Sequence, residues 1–150
     1  MKQVAVVALV LVVAGCGGAK KAAVPETALL TGVDVQASKV VFTFKSAPQT
    51  VTERWVPRSQ LLESGSGSPV PLKGAAYLMI HFQPAATGVA DASSVRFTYT
   101  GPRRIEGPGP VLEVAKTSDF EADLAWAIGL ERRLAVHVAQ DGATITVGFG

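Results

Sequence analysis

Apolar and polar residues alternate along most of this chain with a period of two. Val40, Phe42 and Phe44 alternate with Val41, Thr43 and Lys45; Val95, Phe97 and Tyr99 alternate with Arg96, Thr98 and Thr100; Ile145, Val147 and Phe149 alternate with Thr144, Thr146 and Gly148. Successive side chains of an extended strand point to opposite faces, so each set predicts a strand with one side in a core and the other towards water. The pattern recurs in nine segments: 29–36, 39–45, 50–56, 75–82, 94–100, 111–117, 123–130, 133–139 and 143–149. One stretch mixes two signals. The alanines and Glu121 of residues 120–130 suit a helix, yet Leu124, Trp126, Ile128 and Leu130 fall at every second position, which predicts a buried strand. SGSGSP at 64–69 and GPRRIEGPGP at 101–110 read as loops, because proline lacks a ladder donor and glycine loses the most entropy on ordering. Residues 58–67 have room for a short helical turn around Leu61 and Leu62. Many short, closely spaced strands without a convincing helix predict an all-β, β-sandwich-like domain.

The beginning of the chain breaks this pattern. Behind Lys2, residues 4–15 are uninterruptedly apolar, and they end in Val13-Ala14-Gly15-Cys16 with the only cysteine of the chain. A membrane-spanning helix needs about 20 apolar residues, more than this run supplies. A basic start, a short apolar stretch and small residues at its end describe an export signal. No Ala-x-Ala-like site stands here, and the final four residues resemble the bacterial lipobox, in which the cysteine is lipidated after cleavage. The expected organisation is a signal peptide at 1–15, a lipidated Cys16 with a tether at 16–28, and a β-domain at 29–150. Such a chain is held to the extracytoplasmic face of the cell membrane through Cys16. Lys20 and Lys21 follow closely enough to meet anionic headgroups.

Composition narrows the classes further. The 135 residues after position 15 suffice for one domain with its own core. Of the 14 lysines and arginines only Lys2 lies in residues 1–15, so the rest stand nearly balanced against 12 acids. That balance argues against nucleic acid as a partner, since such domains carry a basic stripe. With Cys16 committed to lipid, no disulfide forms within the chain and stability must come from burial.

Candidate chemistry is sparse. His81 and His137 each fall on the less apolar face of their strand, and without clustered cysteines or metal-type spacing they predict no metal site. No nucleophile elbow or phosphate-cradling glycine loop is present, and no cofactor is expected. Asp119, Glu121 and Asp123, spaced by two, would share one face of a fully extended segment and raise one another's pKa, but the preferred reading is structural, an acidic turn that caps backbone donors. In loop 101–110, prolines 102, 108 and 110 limit the entropy of ordering while Arg103 and Arg104 are displayed, and guanidinium forks fit carboxylates and phosphates.

Ser118-Asp119-Phe120-Glu121 followed by Leu124-x-Trp126-x-Ile128-Gly129-Leu130 resembles the AMIN-like domain of actinobacterial lipoproteins. Val40-Val41-Phe42-Thr43-Phe44, Val70-Pro71-Leu72-x-Gly74-Ala75 and Leu134-Ala135-Val136-His137-Val138 are similar to further segments of that family, in the same order, over about residues 29–149. The end departs: Asp141-Gly142-Ala143 leads into Thr144 to Phe149 without the family's usual arginine and final aspartate. The resemblance implies a β-sandwich-like domain related to envelope modules associated with wall targeting and with contact to peptidoglycan or other wall glycan. The expectation is therefore a non-catalytic lipoprotein binding module for wall polymer or an envelope protein, with Arg103, Arg104, Asp119 and Glu121 as candidate ligand contacts. A carrier or sensor that admits a lipid or small molecule between its sheets is the alternative.

Overall fold

The computed structural model describes residues 22–150, so the export-type segment and Cys16 lie outside the described residues. From Ala28 onward the described residues form twelve strands, ten of them in two principal sheets. In chain order these are β1 (Ala28–Gln36), β2 (Lys39–Phe44), β3 (Thr50–Val56), β4 (Ala76–Gln83), β5 (Ala85–Ala86), β6 (Gly88–Ala90), β7 (Val95–Phe97), β8 (Arg104–Glu106), β9 (Val111–Phe120), β10 (Asp123–Leu130), β11 (Val136–Asp141) and β12 (Thr144–Phe149). One sheet has the order β11-β12-β2-β1-β5 and the other β3-β4-β10-β9-β8, while β6 and β7 form a separate ribbon.

The alternation decides which side chains meet between the sheets. Leu30, Val40, Phe42, Ile145 and Val147 come from one sheet and Leu78, Ile80, Phe82, Leu124, Trp126, Ile128 and Leu130 from the other, all fully buried. Phe42 lies 4.9 Å from Phe82 and 5.9 Å from Trp126, ring centre to ring centre, and Tyr99 meets Trp126 edge-on at 5.7 Å. The space that a carrier would need between its sheets is occupied by these rings.

The second sheet is covered on its outer side as well. Residues 57–75 fold across it, and Leu61, Val70 and Leu72 pack on Tyr77, Met79, Ala115, Ala125 and Ala127. Segment 120–130 carries alanines at 125 and 127 for this reason: β10 is a strand buried on both faces, and small residues let the cover approach. Arg58 fastens the cover by donating to the carbonyls of Leu72 and Gly74, each at 3.2 Å, with its guanidinium 4.8 Å above the Tyr77 ring. The helical turn expected here is one 3₁₀ turn, Arg58–Gln60, after which Leu61 is buried and Leu62 exposed.

Two of the sequence segments behind the family resemblance are a single contact. Gly74, at φ 138°, sits against Leu130, and Ala75 donates to the Leu130 carbonyl at 2.8 Å. A Cβ on Gly129 would fall 1.9 Å from the Lys73 carbonyl oxygen. The Gly-Leu pair that ends β10 is thus the floor on which the Val-Pro-Leu-x-Gly turn rests.

Three expectations need correction. Val95 and Phe97 do not enter the core; β7 pairs only with β6, leaving them 54 % and 60 % exposed, and Tyr99 alone of that set is buried. Stretch 101–110 is not wholly a loop, because Arg104–Glu106 pair with β9 as an edge strand between Pro102 and Pro108. Edge positions tolerate flanking prolines, since one side of the ladder is unused. Finally, β9 continues to Phe120 and turns directly into β10.

Candidate functional site

A tight turn organises the acidic cluster. Phe120 and Asp123 face each other across the β9–β10 hairpin, and the two residues between them, Glu121 and Ala122, have φ of 50° and 60°. Left-handed backbone at both central positions gives the turn whose twist matches a hairpin. Because the chain reverses here, Asp119, Glu121 and Asp123 do not share a face, contrary to the extended reading. Asp123 meets His81 Nδ1 at 3.1 Å and the Gln83 amide, also at 3.1 Å. Glu121 is exposed at the turn. Asp119 is directed to Thr87, accepting its backbone N–H at 3.2 Å and its hydroxyl, while Lys116 Nζ lies 3.2 Å from the same carboxylate. Asp119 does take a backbone donor, but from the bend between β5 and β6 rather than from its own turn.

The two arginines also part company. Arg104, on β8, chelates Glu113 with contacts of 2.7–3.0 Å, and that carboxylate, 5 % exposed, accepts the Lys73 backbone N–H at 2.9 Å as well. Its fork is taken up by the protein's own acid, although 43 % of the side chain stays exposed. Arg103 remains at the surface and bridges to Glu63 at 3.0 Å. Beside them Lys73 pairs with Glu106, which holds the lysine above and the carboxyl below their ordinary values, the shared hydrogen bond being the main cause.

Between the tail of β9 and the strand-to-loop segment 97–103 lies a cleft of about 660 Å³. Lys116–Phe120 form one wall and Phe97, Tyr99, Thr100, Gly101 and Arg103 the other, with Thr87 below and Glu63 and Ser64 closing one end. The cleft exists because β8 is short: it pairs with Glu113–Ala115 only. Lys116 still donates to the Arg103 carbonyl at 2.8 Å, and the Thr117 carbonyl accepts from Ser64 at 2.9 Å. Past these seams, Ser118–Phe120 have β10 on one side and the cleft on the other. Thr117 stands at the irregularity in β9 pairing, buried, with its hydroxyl oxygen unpartnered. Tyr99 closes the inner wall; its hydroxyl donates to the Pro102 carbonyl at 2.8 Å, and burial pushes its pKa up.

The exposed surface of this cleft is unusual in being aromatic. Phe97 and Phe120 line it and are 60 % and 62 % exposed. Exposed apolar side chains set beside a cleft of convergent polar groups mark interaction sites. Sequence reasoning passed over both: Phe97 matched the core alternation, and Phe120 lay inside a segment noted for its acids. Thr87, Lys116 and Glu63 carried no local signal, being brought together from the bend between β5 and β6, from β9 and from the cover segment 57–75. Of the four residues expected at a ligand site, Arg103 and Asp119 line the cleft, whereas Arg104 and Glu121 do not.

The histidines lie elsewhere, His81 paired with Asp123 and His137 exposed on β11. Among the described residues, no three His, Cys, Asp or Glu side chains group as metal ligands. A second, shallower cleft of about 590 Å³ at the far end of β10 is lined by Trp55 and Arg133, whose guanidinium lies 5.0 Å from the indole.

Fold and cleft together define a small all-β sandwich module with an aromatic and polar cleft beside the tail of β9. The chain belongs to the AMIN-like domain family, which it matches over residues 26–145. The match takes in every segment that carried the resemblance and stops within β12, where the sequence departs from the family's pattern. No curated protein and no solved structure matches the chain.

Proposed function

We propose that this protein is an envelope lipoprotein, held to the extracytoplasmic face of the membrane through Cys16, whose AMIN-like domain is a non-catalytic module that binds cell-wall polymer in the rim cleft. The observation that carries the reading is the cleft itself: two exposed phenyl rings beside a polar floor in which Thr87, Lys116 and Asp119 hold one another in place. Membership of the AMIN-like family supports the ligand class, because related modules are associated with wall targeting. The apolar run ending at Cys16 supports the location: two acyl chains, each buried methylene contributing about 0.8 kcal/mol, hold a protein stably at a bilayer.

The test uses residues 22–150, which contain all twelve described strands and both core clusters. Incubated with purified sacculi and centrifuged, this domain should pellet with the wall, and a folded Phe97→Ala/Phe120→Ala variant should stay in the supernatant. A wild-type domain left in the supernatant would remove the wall-binding reading. Lipidation is checked separately by metabolic labelling of the full chain with a fatty-acid analogue, which Cys16→Ser should abolish.

A further inference from the structure

We infer that the rim cleft receives the uncharged sugar backbone of an N-acetylated glycan, and not the phosphates or carboxylates of a polyanion. The inference rests on the wall-polymer reading and sharpens it.

The first step is charge. Two cations reach the cleft, and both are already neutralised within it. Lys116, with its side chain 15 % exposed, has its ammonium 3.2 Å from Asp119 and 3.4 Å from the Thr87 hydroxyl. Asp119 cannot easily swing away, because the Thr87 backbone N–H and hydroxyl also hold it. Arg103 is bridged to Glu63 at 3.0 Å. An arriving phosphate would meet a carboxylate beside each cation, and displacing either carboxylate leaves a like charge next to the ligand. A neutral ligand leaves both pairs intact.

The second step is shape and polarity. Phe97 and Phe120 stand on different elements, β7 and the end of β9, with more than half of each exposed. Flat apolar faces fixed at strand positions suit the C–H faces of pyranose rings, which lose little water on stacking. Between them the cleft presents one free side of Ser118–Phe120. A strand edge offers backbone N–H and C=O groups that need partners, and the acetamido group of an N-acetylated sugar carries one of each. An extended peptide is the competing occupant of a strand edge. It gains affinity from a run of ladder bonds, and here the free edge is three residues long before the turn at Glu121 and Ala122 stops it.

The inference is tested by calorimetric titration of residues 22–150 with three probes: a soluble oligomer of β-1,4-linked N-acetylglucosamine, poly(glycerol phosphate), and an acidic peptide of wall-stem type. Each is run at about 0.05 M and about 0.5 M NaCl, a range over which exposed charge interactions are largely screened. The sugar oligomer should bind, with affinity changing less than about twofold between the two salts. Phe97→Ala and Phe120→Ala should each weaken it on the order of tenfold while the domain remains folded. Preferential binding of the phosphate polymer or the peptide overturns the inference, as does a steep loss of oligomer binding with salt. Retention on sacculi without oligomer binding removes this ligand assignment and leaves the wall reading standing; failure on sacculi removes the wall reading first.

Discussion

Replacing Arg104 by methionine separates a structural arginine from a displayed one. Glu113 is a carboxylate with only 5 % of its side chain exposed, held by the Arg104 guanidinium at 2.7–3.0 Å and by the Lys73 N–H at 2.9 Å. Arg104→Met leaves that charge in place with one neutral donor. Breaking a buried pair from one side costs about 3–5 kcal/mol. Arg104 is itself 43 % exposed, so water replaces part of what it supplied, and we expect a loss of about 2–3 kcal/mol. For a domain of this size that corresponds to a fall in Tm of roughly 6–15 °C. The assay is urea and thermal unfolding of residues 22–150, followed by circular dichroism. Removing both partners, as in Arg104→Met/Glu113→Leu, should recover much of the loss, because an apolar replacement leaves no orphaned charge. Arg103→Ala is the internal comparison; its bridge to Glu63 is solvent-exposed and should contribute at most about 1 kcal/mol. An Arg104→Met domain within about 0.5 kcal/mol of wild type, or a double variant less stable than the single one, would refute the structural role.

Gly129→Ala should cost about 3 kcal/mol or prevent folding, because its methyl group falls 1.9 Å from the Lys73 carbonyl oxygen and the turn above it must move; a urea midpoint unchanged from wild type contradicts this. Phe97→Ala and Phe120→Ala should change stability by no more than about 0.5 kcal/mol, since neither ring belongs to a core cluster, and a larger loss in thermal unfolding would give those rings a structural role. Tyr99 makes stability fall at alkaline pH. Burial raises its folded pKa above the unfolded value, so the contribution is complete below the ordinary tyrosine pKa and is lost as pH rises towards the folded one. Tyr99→Phe should therefore show a smaller drop in urea midpoint than wild type between neutral and strongly alkaline buffer, and an equal drop counts against that burial.

The all-β sandwich was legible because strand alternation is local: Phe42, Phe44, Ile145 and Val147 announce their faces within a few residues, and all four are buried. Segment 120–130 yielded to the same reasoning despite its alanines, whose purpose became clear only with the cover formed by residues 57–75. Alternation failed at Val95 and Phe97, which have the pattern of a core strand but pair only within a ribbon outside both sheets. Nothing in a strand's own sequence states whether a second sheet lies above it. The site was legible in fragments. Arg103 and Asp119 were picked for their chemistry and do line the cleft, but the partners that define their roles, Glu63 and Thr87, come from residues 40 and 32 positions away. The pairing of Arg104 was not legible because proline and glycine suggested a loop, and the acid that takes up its fork lies across a strand pair. For the acidic triplet only the extended alternative fails, because a two-residue reversal at Glu121 and Ala122 changes which side chains are neighbours, while Asp119 does hold a backbone donor.

The central claim is that the rim cleft, and no other surface of the domain, is where wall polymer is held. Amide chemical-shift mapping of residues 22–150 with soluble glycan fragments released from sacculi tests it most directly. Binding should perturb the amides of Thr87, Phe97, Tyr99, Thr100, Gly101, Arg103 and Lys116–Phe120, and leave the β11–β12 hairpin and the Trp55–Arg133 cleft unchanged. Perturbations concentrated around Trp55, Arg132 and Arg133 instead, with the β9 tail silent, would contradict the claim.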